Sequence, residues 1–250
     1  RWADEQHILA AVQAAVRPGR DWSGRRILIS AGPTQEAIDP VRFISNRSSG
    51  KMGYALAEAA KARGAEVVLV SGPTALTPPS GIELLSVTTT EEMRKAVLSR
   101  LSWSDTVIMA AAVADFRPAR PSAQKLKKRH RPITGLELEP TEDILLELSA
   151  RRTTQLLVGF AAETEDLLAH AREKLHAKGV DLLVANDVTA VGSGFGSDSN
   201  RVILLDHNGQ TEELPLLSKR DVADRILDRM LTLQVVRQSG KKPSRTNRKE

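Results

Sequence analysis

Seven short apolar runs, at 26–31, 67–72, 83–87, 106–111, 156–160, 182–186 and 201–206, alternate with segments of helical spacing at 51–63, 90–101, 142–150, 165–178 and 218–234. Runs such as Val107-Ile108-Met109-Ala110 and Leu156-Leu157-Val158-Gly159-Phe160 are short and unbroken by polar residues, as in strands covered on both faces. Such alternation predicts an α/β fold: a Rossmann-like, doubly wound, mostly parallel sheet with ligands at the carboxyl ends of its strands. The last run differs. Val202-Ile203-Leu204-Leu205 turns through His207-Asn208-Gly209-Gln210 into a second run ending at Leu217, so an antiparallel C-terminal edge hairpin is expected. No internal repeat is visible.

The first strand-to-helix connection carries the densest chemistry. Arg26-Ile27-Leu28-Ile29-Ser30-Ala31-Gly32-Pro33-Thr34 leads, after a loop, into Ile44-Ser45-Asn46-Arg47-Ser48-Ser49-Gly50-Lys51-Met52-Gly53. The first turn of a helix leaves backbone N–H groups unpaired and adds partial positive charge, which favours an anion. Ser48 and Ser49 offer hydroxyl donors, and Gly50 and Gly53 would let a phosphate approach the backbone. The loop is not a P-loop, because Met52 stands where Ser or Thr would bind Mg²⁺. Nor is it a compact dinucleotide fingerprint, because Gly32 and Gly50 are far apart and Val67-Val68-Leu69-Val70-Ser71-Gly72 ends without a ribose-binding acid.

Composition excludes several classes. The chain has no cysteine, which removes disulfides, thiol nucleophiles and Cys-bound metals and fits a reducing, cytoplasmic setting. The longest uncharged stretch, Val67 to Ile82, holds three prolines and two glycines, so no membrane span or signal peptide is expected. The net charge of +5 is carried by residues 237–250, which contain six Lys or Arg and one acid, and the rest of the chain is balanced. That segment has few apolar residues and reads as a disordered basic tail, and the body as no binder of nucleic acid. Residues 2–17 read as a helix closed by Pro18-Gly19, and the chain starts at Arg1. The expected organisation is a helix and linker from a preceding domain at 1–24, a nucleotide-binding domain at 25–236, and a tail at 237–250.

Strand ends gather small residues beside polar ones: Ala111-Ala112-Val113-Ala114-Asp115-Phe116, Phe160-Ala161-Ala162-Glu163-Thr164 and Ala185-Asn186-Asp187-Val188. Asp187 reads more simply as a helix N-cap. Asp115 opens the most basic internal stretch, Arg117 to Arg131, with seven Lys or Arg centred on Lys125-Leu126-Lys127-Lys128-Arg129. Pro118 and Pro121 prevent helix there, and a cationic loop following a sheet-edge Asp can close over a polyphosphate. Lys174 and Lys178, spaced i,i+4, would add positive charge to the same site; alone they look like ordinary helix lysines.

These motifs together resemble the phosphopantothenate–cysteine ligase family of coenzyme A biosynthesis. The match includes Asp39-Pro40-Val41-Arg42-Phe43-Ile44-Ser45-Asn46, Lys125-Leu126-Lys127-Lys128 and Gly159-Phe160-Ala161-Ala162-Glu163-Thr164, in order over about residues 25–235. The resemblance implies a CTP-dependent ligase that forms an acyl-cytidylate on 4′-phosphopantothenate and passes it to the amine of L-cysteine, with Mg²⁺. It implies that Lys125 contacts the triphosphate and stabilises the transition state. It also implies that Asn46 hydrogen-bonds the acyl-cytidylate, with Ser48, Ser49, Gly50 and Ala112 also on the substrate. Ala111, Asp115, Phe160, Lys174 and Lys178 match nucleotide-contacting positions, with Asp115 also the metal ligand. Glu142-Asp143-Ile144-Leu145 stands where the family reads cytosine, although many relatives have Pro at the position of Glu142. A homodimer is implied, as is fusion to an FMN-dependent decarboxylase domain ahead of residue 1.

Two other classes share parts of this pattern. An NAD(P)-dependent Rossmann reductase would share the fold but needs a ribose acid and a Tyr-x-x-x-Lys pair, whereas Tyr54, the only tyrosine, has Glu58 four residues on. A nonenzymatic nucleotide- or RNA-binding module would use the 117–131 stretch as a basic patch.

Overall fold

The computed structural model describes residues 19–127, 135–163, 167–187 and 196–240. The expected helix at 2–17, the far tail, Lys128 and Arg129, and the residues that Asp187 would cap lie outside them. In chain order the elements are β1 (Arg26–Ala31), β2 (Gln35–Ala37), β3 (Phe43–Ser45), α1 (Lys51–Ala62), β4 (Glu66–Ser71), β5 (Glu83–Ser86), α2 (Thr90–Arg100) and β6 (Thr106–Met109). There follow β7 (Phe116–Pro118), β8 (Leu138–Pro140), α3 (Ile144–Arg151), β9 (Leu156–Glu163), α4 (Leu167–Lys178), β10 (Leu182–Asp187), β11 (Ser199–Asp206), β12 (Thr211–Ser218) and α5 (Lys219–Gly240).

Eight strands form one sheet in the order β12-β11-β10-β9-β6-β1-β4-β5. The six from β10 to β5 are parallel, and numbered along the chain they read 3-2-1-4-5-6, the doubly wound order. β11 and β12 add the expected antiparallel edge. β1 sits at the centre, with Ile29 level with Leu69 on one side and Ile108 on the other. All three side chains are fully buried, which is why these runs are apolar without alternation.

Successive residues of β1 feed opposite layers. Ile27 and Ile29 pack with Leu56 and Ala60 of α1 and with Ile226 and Met230 of α5. Leu28 packs with Met93 of α2, Leu148 of α3 and Leu175 of α4. Gly53 decides how closely α1 can lie on the sheet: a Cβ there would fall 2.5 Å from the Ala31 Cβ and 2.9 Å from the Ser30 carbonyl. The end of α1 is tied to α5 and to the entering chain by Arg63, whose buried guanidinium reaches Asp21 at 2.5 Å, Asp228 at 2.8 Å and Asp224 at 3.5 Å. Burial alone would lower the Arg63 pKa, but the Asp21 and Asp228 carboxylates outweigh it and raise it.

The structure departs from the sequence expectations at several boundaries. Trp22 is fully buried in the α1/α5 core, so the domain begins inside the segment read as a linker. α3 starts at Ile144 rather than at 142, because the Asp143 side chain accepts the Leu146 N–H at 3.0 Å and caps the helix. α5 continues to Gly240, past the expected start of the tail, since no helix breaker precedes that glycine. Two small antiparallel pairs, β2 with β3 and β7 with β8, stand apart from the main sheet where only loops were expected.

Candidate active site

The strand order reverses between β1 and β6, and there the two following loops are knitted together. Pro33 pairs with Ala112 in an isolated parallel bridge, and the Ala112 N–H donates to the Gly32 carbonyl at 2.9 Å. Thr34 Oγ1 accepts the Ala114 N–H at 2.9 Å, which holds the small-residue run 111–115 against the strand end. Gly32 has φ +73°, and a Cβ on it would sit 2.9 Å from Thr74 and 3.0 Å from the Gly72 carbonyl. Gly50, the N-cap of α1, has φ +76° and would place a Cβ 2.7 Å from Thr74. These glycines, and Gly53 under α1, let loop, strand and helix approach one another. This packing role of Gly50 and Gly53 adds to the ligand approach expected of them, and both still line the cleft described below. Gly50 still brings no side chain to cap α1, and Ser48 does not cap it either: its hydroxyl accepts the N–H of Gly50 itself at 3.2 Å, not one from the first turn.

Above this edge lies a cleft of about 760 Å³. It is lined by Asn46, Ser48, Ser49, Gly50, Ala111, Ala112, Asp115, Glu142 through Leu145, Phe160, Lys174 and Lys178. The fold therefore brings together every site residue expected from the sequence except Lys125. Asn46 crosses the gap, its Nδ2 donating to the Val113 carbonyl at 2.7 Å. Asp143 caps α3 and pairs with Lys178, so α3 and α4 are joined at the cleft by an ion pair. Glu142 lies 3.7 Å from Arg117, which also bonds Glu139 at 2.7 Å.

Lys125 is exposed and does not line the cleft. The next residue is held firmly: the Leu126 N–H donates to Asp39 Oδ2 at 3.2 Å and its carbonyl accepts from Arg42 Nη2 at 2.7 Å. Asp39 also accepts the Val41 and Arg42 N–H groups at 2.8 and 2.9 Å. Burial pushes the Asp39 carboxyl up, but these backbone donors and Arg42 together hold it below the usual carboxylate range. A lowered folded-state pKa means the anchor is complete above the unfolded carboxyl value and is lost as pH falls through the folded one. Asp39→Asn should lower Tm at neutral pH, flatten the acid limb of stability and speed trypsin cleavage after Lys125 and Lys127. Unchanged cleavage would show that Asp39 does not tether this loop.

Among the described residues no group of three His, Asp or Glu forms a metal cluster. Mg²⁺ commonly takes one or two carboxylates and completes its shell with phosphate oxygens and water. Asp115, exposed at the cleft, fits such a single-carboxylate role. Several lining residues escaped the sequence reading: Lys51, Thr141, Asn200 and Lys219. Asn200 and Lys219 arrive through the edge hairpin. β11 runs antiparallel to β10 and so begins at the carboxyl edge, and the end of β12 returns there, Ser199 opposite Ser218. β4 ends at Ser71, whose hydroxyl donates to the Gly72 carbonyl at 2.8 Å, where a dinucleotide enzyme would have its ribose acid.

A cleft beside a helix without a side-chain cap, set at the switch point of a 3-2-1-4-5-6 sheet, defines a Rossmann-like α/β domain. Its lineage is specific: the chain belongs to the DNA/pantothenate metabolism flavoprotein C-terminal domain family, whose pattern matches residues 22–233. It is 53% identical over 211 residues to the coenzyme A biosynthesis bifunctional protein CoaBC of Bacillus subtilis, covering 84% of this chain and 52% of that one. The chain thus spans about half the length of the curated relatives it matches. The solved C-terminal domain of a CoaBC protein is 44% identical, with a TM-score of 0.73 over 86% of this chain and 97% of that one. A Cab2 mutant solved in complex with phosphopantothenate-cysteine shares the fold at 19% identity, with a TM-score of 0.69 over 91% of this chain and 92% of that one. Among the described residues no helix is long and apolar enough to cross a membrane.

Proposed function

We propose that this domain ligates 4′-phosphopantothenate to L-cysteine at the expense of CTP, releasing CMP and pyrophosphate. The observation that carries it is the single cleft that collects Asn46, Ala112, Asp115, residues 142–145, Phe160, Lys174 and Lys178, a set scattered along the sequence. The names of the CoaBC relatives and of the Cab2 complex support the same chemistry. The substrate carboxylate attacks the α-phosphorus of CTP, pyrophosphate departs with its bonding electrons, and an acyl-cytidylate remains. The cysteine amine then attacks the acyl carbon, loses a proton to solvent or base, and expels CMP. Neither step requires a protein nucleophile, and the described cleft lining holds no histidine or cysteine. The protein aligns the substrates and neutralises charge. Mg²⁺ held by Asp115 and nucleotide phosphates would supply further neutralisation of the triphosphate.

In this reading the cytosine edge is matched by backbone groups at 142–145, with Lys174 and Lys178 on the phosphates. Lys125 reaches the triphosphate when its loop swings inward. A purine would leave buried polar groups unpaired, which typically costs about 1–3 kcal/mol, or roughly 5- to 150-fold in selectivity. Competition between CTP and ATP at limiting 4′-phosphopantothenate, with CMP and AMP quantified, should give CMP in at least that excess. Equal yields would remove residues 142–145 from base recognition.

In this account the domain is fused in its parent chain to an FMN-dependent decarboxylase, a reading supported by the flavoprotein name of the family and the bifunctional names of the longer relatives. The domain works as a homodimer in the cytoplasm. Val41, Phe43, Phe116 and Leu138 are each about half exposed on the two small hairpins, an apolar face that a second copy would cover. Light scattering should return twice the chain mass; a monomer at assay concentration would remove the dimer from the account.

A further inference from the structure

The cleft has a second cationic end that the CTP assignment leaves unused. Lys174 and Lys178 belong to α4, which packs on one face of the sheet, whereas Lys51 of α1 and Lys219 of α5 come from the opposite layer. Lys219 is 7% exposed and its Nζ donates to the carbonyls of Ser197 and, at 3.3 Å, Ser199. Lys51 Nζ donates to the Gly196 carbonyl at 3.1 Å and to Asp198 Oδ1 at 2.6 Å. Burial first, and then the like charge of Lys51, push the Lys219 ammonium below the usual lysine range, while Asp198 opposes this. Asn200 lines the same cleft, against Met52 in the first turn of α1. It is 3% exposed, its Nδ2 contacts Met52 Sδ at 3.7 Å, and among the described residues its buried Oδ1 has no hydrogen-bond partner; the residue forms part of the cleft wall. A buried amide oxygen left unpaired is unfavourable, and a ligand donor would satisfy it.

We infer that Lys51, Lys219 and the first turn of α1 bind the phosphate monoester of the acid substrate, while Asn200 Oδ1 accepts from a hydroxyl or amide N–H beside that phosphate. The inference rests on the ligase reading and adds to it the discrimination of a phosphorylated from an unphosphorylated acid. Two anionic substrates must share one cleft with their reacting ends together. Cationic groups on opposite sheet faces let the triphosphate approach from α4 and the phosphate ester from α1 and α5.

The test measures affinity for 4′-phosphopantothenate and for CTP by calorimetry, and turnover with 4′-phosphopantothenate against pantothenate, in wild type, Lys51→Gln, Lys219→Gln and Asn200→Leu. The lysine variants should weaken 4′-phosphopantothenate binding roughly tenfold to hundredfold, leave CTP binding within about twofold, and reduce the preference over pantothenate. Asn200→Leu should weaken binding of both acids and keep the preference. If Lys219→Gln fails to fold, Lys219→Arg and Lys51→Gln carry the test, since the Lys51 ammonium already reaches an exposed partner. A selective loss of CTP affinity would place the triphosphate at this corner and overturn the assignment, as would unchanged affinities in all variants. A wild type that binds neither substrate would instead sink the ligase reading.

Discussion

Lys125→Gln should abolish most turnover while leaving the fold intact. The side chain is exposed, so stability should change by less than about 0.5 kcal/mol. The rate should fall on the order of 10²-fold or more, because the lost charge acts where negative charge develops on the triphosphate. The loop position sharpens the expectation. Lys125 lies outside the cleft, next to a residue pinned by Asp39 and Arg42, so its role depends on a swing about that anchor. CTP affinity should therefore drop less than kcat. CMP formation by Lys125→Gln at near wild-type rate would remove this residue from the mechanism.

Asn46→Asp should damage the reaction more than nucleotide binding, again on the order of 10²-fold in overall turnover. In the structure the amide Nδ2 donates to the Val113 carbonyl, bracing the loop that carries Ala112 and Asp115. An ionised Asp has no donor and would set negative charge against that carbonyl and against the acyl phosphate oxygens. Trapped acyl-cytidylate and CTP affinity should be measured together. Small, equal losses in both would mean that Asn46 only shapes the loop.

The main sheet was legible because its parallel strands are covered on both faces. Ile27, Leu28 and Ile29 must all be apolar, and a continuous run betrays a buried strand. The hairpins β2–β3 and β7–β8 carried no such signal. Each strand has three residues, too few for a period, and the pairs form against neighbouring loops. The cleft residues on strand ends could be read because a polar group following an apolar strand has a known place in this fold. Asn200 and Lys219 could not, because they reach the cleft only through the antiparallel register of β10, β11 and β12. Glycine roles were the least legible: Gly53 looks like a phosphate contact in sequence, yet the Ala31 Cβ occupies the space its own would need.

The central claim is activation of a carboxylate as an acyl-cytidylate, and omission of cysteine tests it most directly. The domain with CTP, Mg²⁺ and 4′-phosphopantothenate should release pyrophosphate equivalent to its active sites and hold phosphopantothenoyl-cytidylate, detectable by mass spectrometry. Cysteine added afterwards should discharge it to CMP and the amide. Release of CDP with an acyl phosphate, or formation of the amide with no CMP, would contradict the account.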